Sequence, residues 1–412
     1  MIEDLIEAHL NLIVSCLPEV GRVILAADRL SSWSSRHDWP PYAEGLTIEI
    51  TMREPISARP SGIDEIPDRP AVFLLWAAEG LPYLARTNLL RRRLRRLISD
   101  RSRVSRVLNL SGVVDRIEYW LTGSQLESAL IHLDLAQRYF PKDWPRITRL
   151  RPPAFVRLTI DNPFPRTMVT TRLGRGLFYG PFASRAGAER FETGLLDLFQ
   201  IRRCEENLAP SPDHPGCIYG EMNRCLRPCQ QAVSVEEYRG ETVRMEQFLQ
   251  TGGASLLESA STARDRASAA MQFEEAERLH QRLARIGDVQ ALSGDLARSL
   301  DKLAGVAVVR STEPETIELW FLARGRWQEP LNVSLSETSG AGSSLDHRVR
   351  ELVNSVKPAG EPNLEHLALL VRWQGSSWRD GEWIGFESFE KIPYRKLVNA
   401  IGRVASRARG LQ

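Results

Sequence analysis

The sequence predicts an α+β chain of several domains, and three observations predict it. Its 412 residues exceed one ordinary domain at roughly 150 residues each. Between Pro70 and Tyr139, short apolar runs of strand length alternate with segments of helical spacing. Four of the five cysteines fall within residues 204–229, ahead of a long, charged, helix-patterned stretch. With 42% hydrophobic and 26% charged residues there is ample material for folded cores, which excludes wholesale disorder.

Each element follows in order. Residues 1–65 read as an N-terminal extension, with helical spacing from Leu5 to Leu30, a short strand at Leu46 to Met52 and a Pro/Gly/Asp-rich linker from Pro55 to Pro70. Residues 66–146 read as a small mixed α/β domain. It holds strands at Ala71 to Trp76, Pro82 to Ala85 and Val113 to Leu121, and helices at Arg86 to Ile98 and Gln125 to Tyr139. Residues 147–235 carry strands near Phe155 and Phe178, a helix at Arg185 to Phe199 and the cysteines. Residues 236–295 read as helical, and 296–412 as a C-terminal α/β domain of unassigned role. Five of the ten tryptophans lie there, from Trp320 to Trp383, with core packing expected ahead of base stacking.

The formal net charge is only +2, but it averages over unlike regions. Between Arg86 and Arg106 stand nine Arg and one Asp. Arg91, Arg92, Arg93, Arg95 and Arg96 cannot all share one helix face, so some must meet solvent or a partner. Guanidinium groups suit phosphate because their planar fork donates twice and stays charged. The expected ligand of this helix is phosphate, ahead of a merely solvated face.

The cysteines are spaced Cys204-x12-Cys217-x7-Cys225-x3-Cys229. Four thiolates can close a tetrahedral zinc site or hold an iron–sulfur cluster, and spacing alone does not choose between them. Arg202, Arg203, Arg224 and Arg227 surround them in sequence. The chain's start is acidic, unlike a signal peptide, and Leu10 to Ala27 is interrupted by Asn11, Pro18, Glu19 and Arg22. The expectation is a cytoplasmic protein without membrane association.

Four stretches together resemble the UvrC family of bacterial nucleotide excision repair, over roughly residues 67–290. Pro70-Ala71-Val72-Phe73 and Tyr83-Leu84-Ala85-Arg86-Thr87 resemble its GIY-YIG nuclease motifs. Phe178-Tyr179-Gly180-Pro181-Phe182 resembles the family's Y-F-G-P-F. Cys204-Glu205 through Arg224-Cys225-Leu226-Arg227-Pro228-Cys229 resembles its four-cysteine segment. Met271 through Leu279 resembles the UVR motif. The resemblance implies a GIY-YIG-like fold for the small domain and a [4Fe–4S] cluster on Cys204, Cys217, Cys225 and Cys229, with zinc as the alternative. It implies DNA as ligand, with Arg91, Arg92, Arg95 and Arg96 as further contacts. It also implies a UvrB-like partner meeting Phe273, Ala276 and Leu279, positions that alone would fit an ordinary amphipathic helix.

The resemblance also marks departures. The family's chemistry uses a Tyr to orient water, a Glu to hold one metal ion and an Arg to clamp phosphate. Here the first Tyr is Phe73 and the Glu position falls on His132; Ala85 stands for the family's Gly and Arg86 for its Lys, while Tyr83 and Arg93 keep theirs. Mg²⁺ or Mn²⁺ would be required only if the site is active. Glu127 and Asp134 are the nearby replacement carboxylates, expected to be solvated helix residues. The expectation is a nuclease fold that binds DNA and cuts it poorly or not at all. The alternative is a UvrB-binding adaptor or a DNA-binding regulator. Residues 303–412 are too few for the family's second nuclease and helix-hairpin-helix elements, so the chain reads as a shortened relative.

Overall fold

The structure is a computed structural model that describes residues 53–98, 110–160, 162–336, 344–354, 356 and 360–409. The Leu5 to Leu30 helix, the Leu46 to Met52 strand, Cys16 and the arginines beyond Ile98 in the basic stretch lie outside the described residues. The fold is mixed α/β with several sheets and divides into two compact units.

The first unit is built on a four-stranded antiparallel sheet. Its strands are β1 (Ile56–Ala58), β2 (Ala71–Ala77), β3 (Tyr83–Thr87) and β4 (Val114–Leu121), in the order β1-β4-β2-β3. Successive strand side chains point to opposite faces, so the apolar run of β2 feeds two cores. Phe73 and Leu75 meet Leu90, Leu94 and Leu97 of the Leu90–Ile98 helix on one face. Val72 and Leu74 meet Ile131 and Leu135 of the Gln125–Tyr139 helix on the other. The latter helix starts where sequence reasoning puts it because Ser124 caps it, accepting from the Glu127 N–H.

One expectation needs correcting here. The Pro55 to Pro70 segment is not a bare linker. It contains β1, which pairs with β4, and a short 3₁₀ turn at Pro60–Glu65. Its Pro, Gly and Asp residues do mark turns. However, Ala58, Ile63 and Ile66, set between them, join the same core as Phe73.

The second unit carries two sheets. In the first, β5 (Ala154–Leu158), β6 (Thr167–Thr170), β7 (Leu177–Phe182) and β8 (Arg298–Ser299) run in the order β6-β5-β7-β8. The Arg185–Leu198 helix packs on it, with Phe191 stacked on Tyr179 at 4.8 Å. Gly180 has φ 155°, and a Cβ there would stand 2.7 Å from the Phe155 ring, so the motif's glycine is fixed by crowding. Three helices follow, Val235–Thr251, Ala254–Ala269 and Phe273–Ala291, the last two packed along one another as a hairpin. The first begins with a capping box between Ser234 and Glu237.

The other sheet orders β11 (Arg326–Trp327), β10 (Thr316–Ala323), β9 (Ala304–Arg310) and β13 (Glu382–Phe386), with β12 (Leu331–Ser334) on β10. It is covered by the Leu345–Asn354 and Tyr394–Arg409 helices, and the Leu364–Gln374 helix completes this region. Trp320, Trp327 and Trp373 are buried, the core role the sequence favoured, while Trp378 is exposed. Among the described residues no helix is long and apolar enough to cross a membrane.

Candidate nucleic-acid and metal sites

The nuclease-like residues divide between the two faces of the first sheet. Phe73 is fully buried, and its ring centroid lies 6.3 Å from that of Tyr83. Both rings belong to the face covered by the basic helix. Arg86 stands opposite Val72 in register, so it projects from the other face. His132 is buried in the Gln125–Tyr139 helix, which packs on that other face through Ile131 and Leu135. The fold thus groups Phe73 and Tyr83 with the helix of Arg93, and Arg86 with the helix of His132.

The two replacement carboxylates are not solvated, contrary to expectation. Glu127 is 4% exposed and accepts from the Gly123 N–H at 2.7 Å, closing the helix N-terminus. Asp134 is 2% exposed and is bonded by Arg138 at 3.0 Å, one helical turn on. Burial pushes the Asp134 carboxyl up to about 6, with Arg138 pulling the other way. A carboxyl that disfavours its charge and is enclosed in the helix packing makes a poor ligand for a hard cation. The sequence suggested surface residues because the helix's wide burial cannot be read from its mixed pattern.

The arginines of the Leu90–Ile98 helix are not equivalent. Arg95 forks onto Asp64, with Nη2 at 2.6 Å and Nε at 3.0 Å. Arg91 donates to the Asp64 carbonyl, and Arg92 lies 3.8 Å from the Asp68 carboxylate. Arg93 and Arg96 make no side-chain hydrogen bond or ion pair among the described residues. The two acids were missed as counter-ions because they lie in the segment read as a linker. These pairs are exposed, and each contributes at most about 1 kcal/mol. Phosphate could displace them, but Arg93 and Arg96 need no such exchange.

The four cysteines come together within one region of the second unit. Cys225 and Cys229 are buried, Cys204 is partly exposed and Cys217 is exposed, all as free thiols. Burial pushes the Cys225 thiol up to about 11, the Arg227 N–H opposes this, and Cys217, Cys204 and Cys229 reinforce it. Cys229 is raised likewise by burial and then by Cys217. Cys217 and Cys204 therefore lie close enough to act on both buried thiols. Among the described residues, however, no group of three or more His, Cys, Asp or Glu is gathered as tightly as a metal shell.

Beside them lies a residue that sequence reasoning undervalued. Arg202 is 3% exposed, and it donates to the carbonyls of Phe164, Cys204 and Glu206 and to the Cys204 sulfur. No carboxylate pairs with it among the described residues. Arg203 and Arg224 instead share Asp197.

The helical hairpin exposes its tip. Phe273 is 71% exposed and Met271, at φ 55°, is exposed too. Ala276 and Leu279 are half-buried on the same helix. A large ring left in water at a helix start is unlike the buried apolar stripe of an ordinary core helix.

Fold and site together define a mixed α/β protein with a small sheet domain bearing a basic helix and a second unit bearing a four-cysteine segment. Residues 154–248, which include all four cysteines, match the family model described as UvrC/Cho excinuclease, middle domain. Curated relatives agree. The "UvrABC system protein C" of Rickettsia africae is 27% identical over 286 residues, 68% of this chain and 44% of the relative. That of Rickettsia akari is 28% identical over 307 residues, 73% and 46% of the two chains. That of Lachnospira eligens is 24% identical over 272 residues, 64% and 44%. The chain is related to the UvrC family, and it spans less than half the length of these relatives. No solved structure matches it.

Asp134 yields a pH prediction. An unfolded Asp releases its proton near pH 3.9, and here the folded carboxyl holds it to about 6. Its contribution to stability is therefore complete below about pH 4 and is lost as pH rises through about 6. Asp134→Asn should remove this dependence. The opening free energy of the Gln125–Tyr139 helix, measured by amide hydrogen exchange, should then gain about 1–3 kcal/mol over the parent between pH 4 and 8. A constant difference across that range would contradict the assignment.

Proposed function

We propose that this chain is a UvrC-like DNA-repair protein whose nuclease-like domain binds DNA and cuts it poorly or not at all. One observation carries the reading. Groups needed for hydrolysis are missing or occupied, while two of the candidate phosphate-binding arginines have no partner among the described residues. Phe73 has no hydroxyl to orient water. Glu127 is bound to a helix N-terminus, and Asp134 is enclosed beside Arg138. Arg93 and Arg96, by contrast, have guanidinium groups with no protein partner among the described residues. A metal-assisted phosphodiester hydrolysis needs both sets, and phosphate binding needs only the second.

Cys204, Cys217, Cys225 and Cys229 would hold the [4Fe–4S] cluster, with zinc as the alternative. Two observations support this reading: Cys217, Cys204 and Cys229 lie close enough to Cys225 to act on its charge, and the buried Arg202 donates to the Cys204 sulfur. When bound, either centre supplies a cross-link and net negative charge. Membership of a UvrABC-type system would make a UvrB-like protein the partner, met by the hairpin tip. A pure adaptor role is the second reading, and the exposed Phe273 favours it.

For DNA, Arg93→Ala with Arg96→Ala should weaken binding of a duplex oligonucleotide and lower its salt slope by about 2. The parent should leave supercoiled plasmid intact with Mg²⁺ or Mn²⁺. Metal-dependent nicking that Arg93→Ala abolishes would overturn the reading. For the partner, Phe273→Glu should abolish capture of a purified UvrB protein while DNA affinity stays unchanged. Undiminished capture would remove the hairpin tip from the partner surface.

A further inference from the structure

The Tyr394–Arg409 helix of the C-terminal region has two unlike sides. Leu397, Ala400, Ile401, Val404 and Ala405 are buried in the core under the second sheet of this unit. Arg395, Lys396, Asn399, Gly402, Arg403, Ser406 and Arg407 recur at helical spacing and are exposed. No acidic residue occurs anywhere along the helix.

Two grooves run against this exposed side. One, of roughly 340 Å³, lies between the helix and β13, and the other, of roughly 670 Å³, lies beside Arg350 and Tyr394. Lys396 and Asn399 line both, so the grooves adjoin along the helix. Acidic groups are also present: Glu390 lines the larger groove and Asp346 pairs with Arg350. Glu382 is gripped by Arg403 at 2.6 Å and approached by Arg407 at 3.7 Å. Arg403, Arg407 and Arg379 hold the Glu382 carboxyl below its usual range, so three cations share one anion. Arg395 and Lys396 have no side-chain hydrogen bond or ion pair among the described residues.

We propose that the exposed side of the Tyr394–Arg409 helix and its grooves form a second nucleic-acid contact, with Arg395 and Lys396 as principal phosphate ligands. The chemistry selects a polynucleotide. A docking peptide helix or a lipid surface needs a projecting apolar row, whereas the helix side carries Asn399, Gly402 and Ser406 between its cations and the apolar groups, Trp383, Ile384, Ile392 and Tyr394, line the grooves. A phosphate backbone needs only spaced cations and close approach. Arg395 and Arg403 are two turns apart, about 12 Å along the axis. The contact therefore spans several phosphates. Its bidentate donors would bind them while Glu382 keeps the two inner guanidiniums in place. The proposal shares only its ligand class with the Arg93 reading and stands without it.

The test is anisotropy of a labelled oligonucleotide, single-stranded and duplex, with the full chain across a salt series. Arg395→Ala with Lys396→Ala is made both in the parent and in the Arg93→Ala, Arg96→Ala background. Affinity should fall roughly ten-fold and the salt slope by about 2 in both backgrounds. The charge-keeping pair Arg395→Lys with Lys396→Arg should stay close to the parent. Unchanged affinity and slope in both backgrounds would overturn the proposal, whatever Arg93 does. So would equal competition by poly-glutamate, or by anionic lipid vesicles, at matched charge.

Discussion

The packing around the cysteine segment depends on one buried guanidinium. Arg202 ties three separate stretches of chain together. Its Nε bonds the Phe164 carbonyl in the β5–β6 connection, and its Nη1 bonds Cys204 and Glu206 in the cysteine segment. Its own backbone N–H meets the Tyr238 hydroxyl of the Val235–Thr251 helix, which in turn donates to Pro165. An arginine does not escape burial by losing its proton. A buried charge without a counter-charge is costly, and carbonyl dipoles compensate it only in part. A cysteine segment that begins at the sulfur this cation touches is therefore a chemical complement as well as a sequence motif. As thiolates around a metal they would bring the negative charge that the site lacks.

The same logic of paired and unpaired charge organises the first unit. Its sheet separates two helices, and the apolar alternation of β2 decides which residues share a face. The acidic segment at Asp64 and Asp68 occupies part of the basic helix and leaves the half-buried Arg93 and the exposed Arg96 without a partner among the described residues. The near-neutral total charge of the chain is thus a cancellation between regions. It says little about where a polyanion would sit.

Much of the fold was legible in the sequence. The Gln125–Tyr139 helix has the bounds its cap and spacing suggest, and β2 and β4 lie where apolar runs place them. Short strands such as β1, β6 and β13 were missed, because a few residues carry no periodicity until a partner strand pairs with them. The candidate site was legible in its motif positions and illegible in its partners. Nothing local says that Asp134 is enclosed, that Asp64 meets Arg95, or that Arg202 lacks a carboxylate. These are consequences of long-range packing, and they decide which charges are available for function.

Central to the proposed function is an iron–sulfur cluster on the four-cysteine segment, which would sit next to Arg202 at Cys204. The most direct measurement is iron, sulfide and zinc content with the visible spectrum of the full chain prepared without oxygen. The account predicts stoichiometric iron and sulfide with broad visible absorption, both lost in Cys225→Ser and Cys229→Ser. Protein that carries no metal, or zinc alone, under those conditions would contradict the cluster assignment.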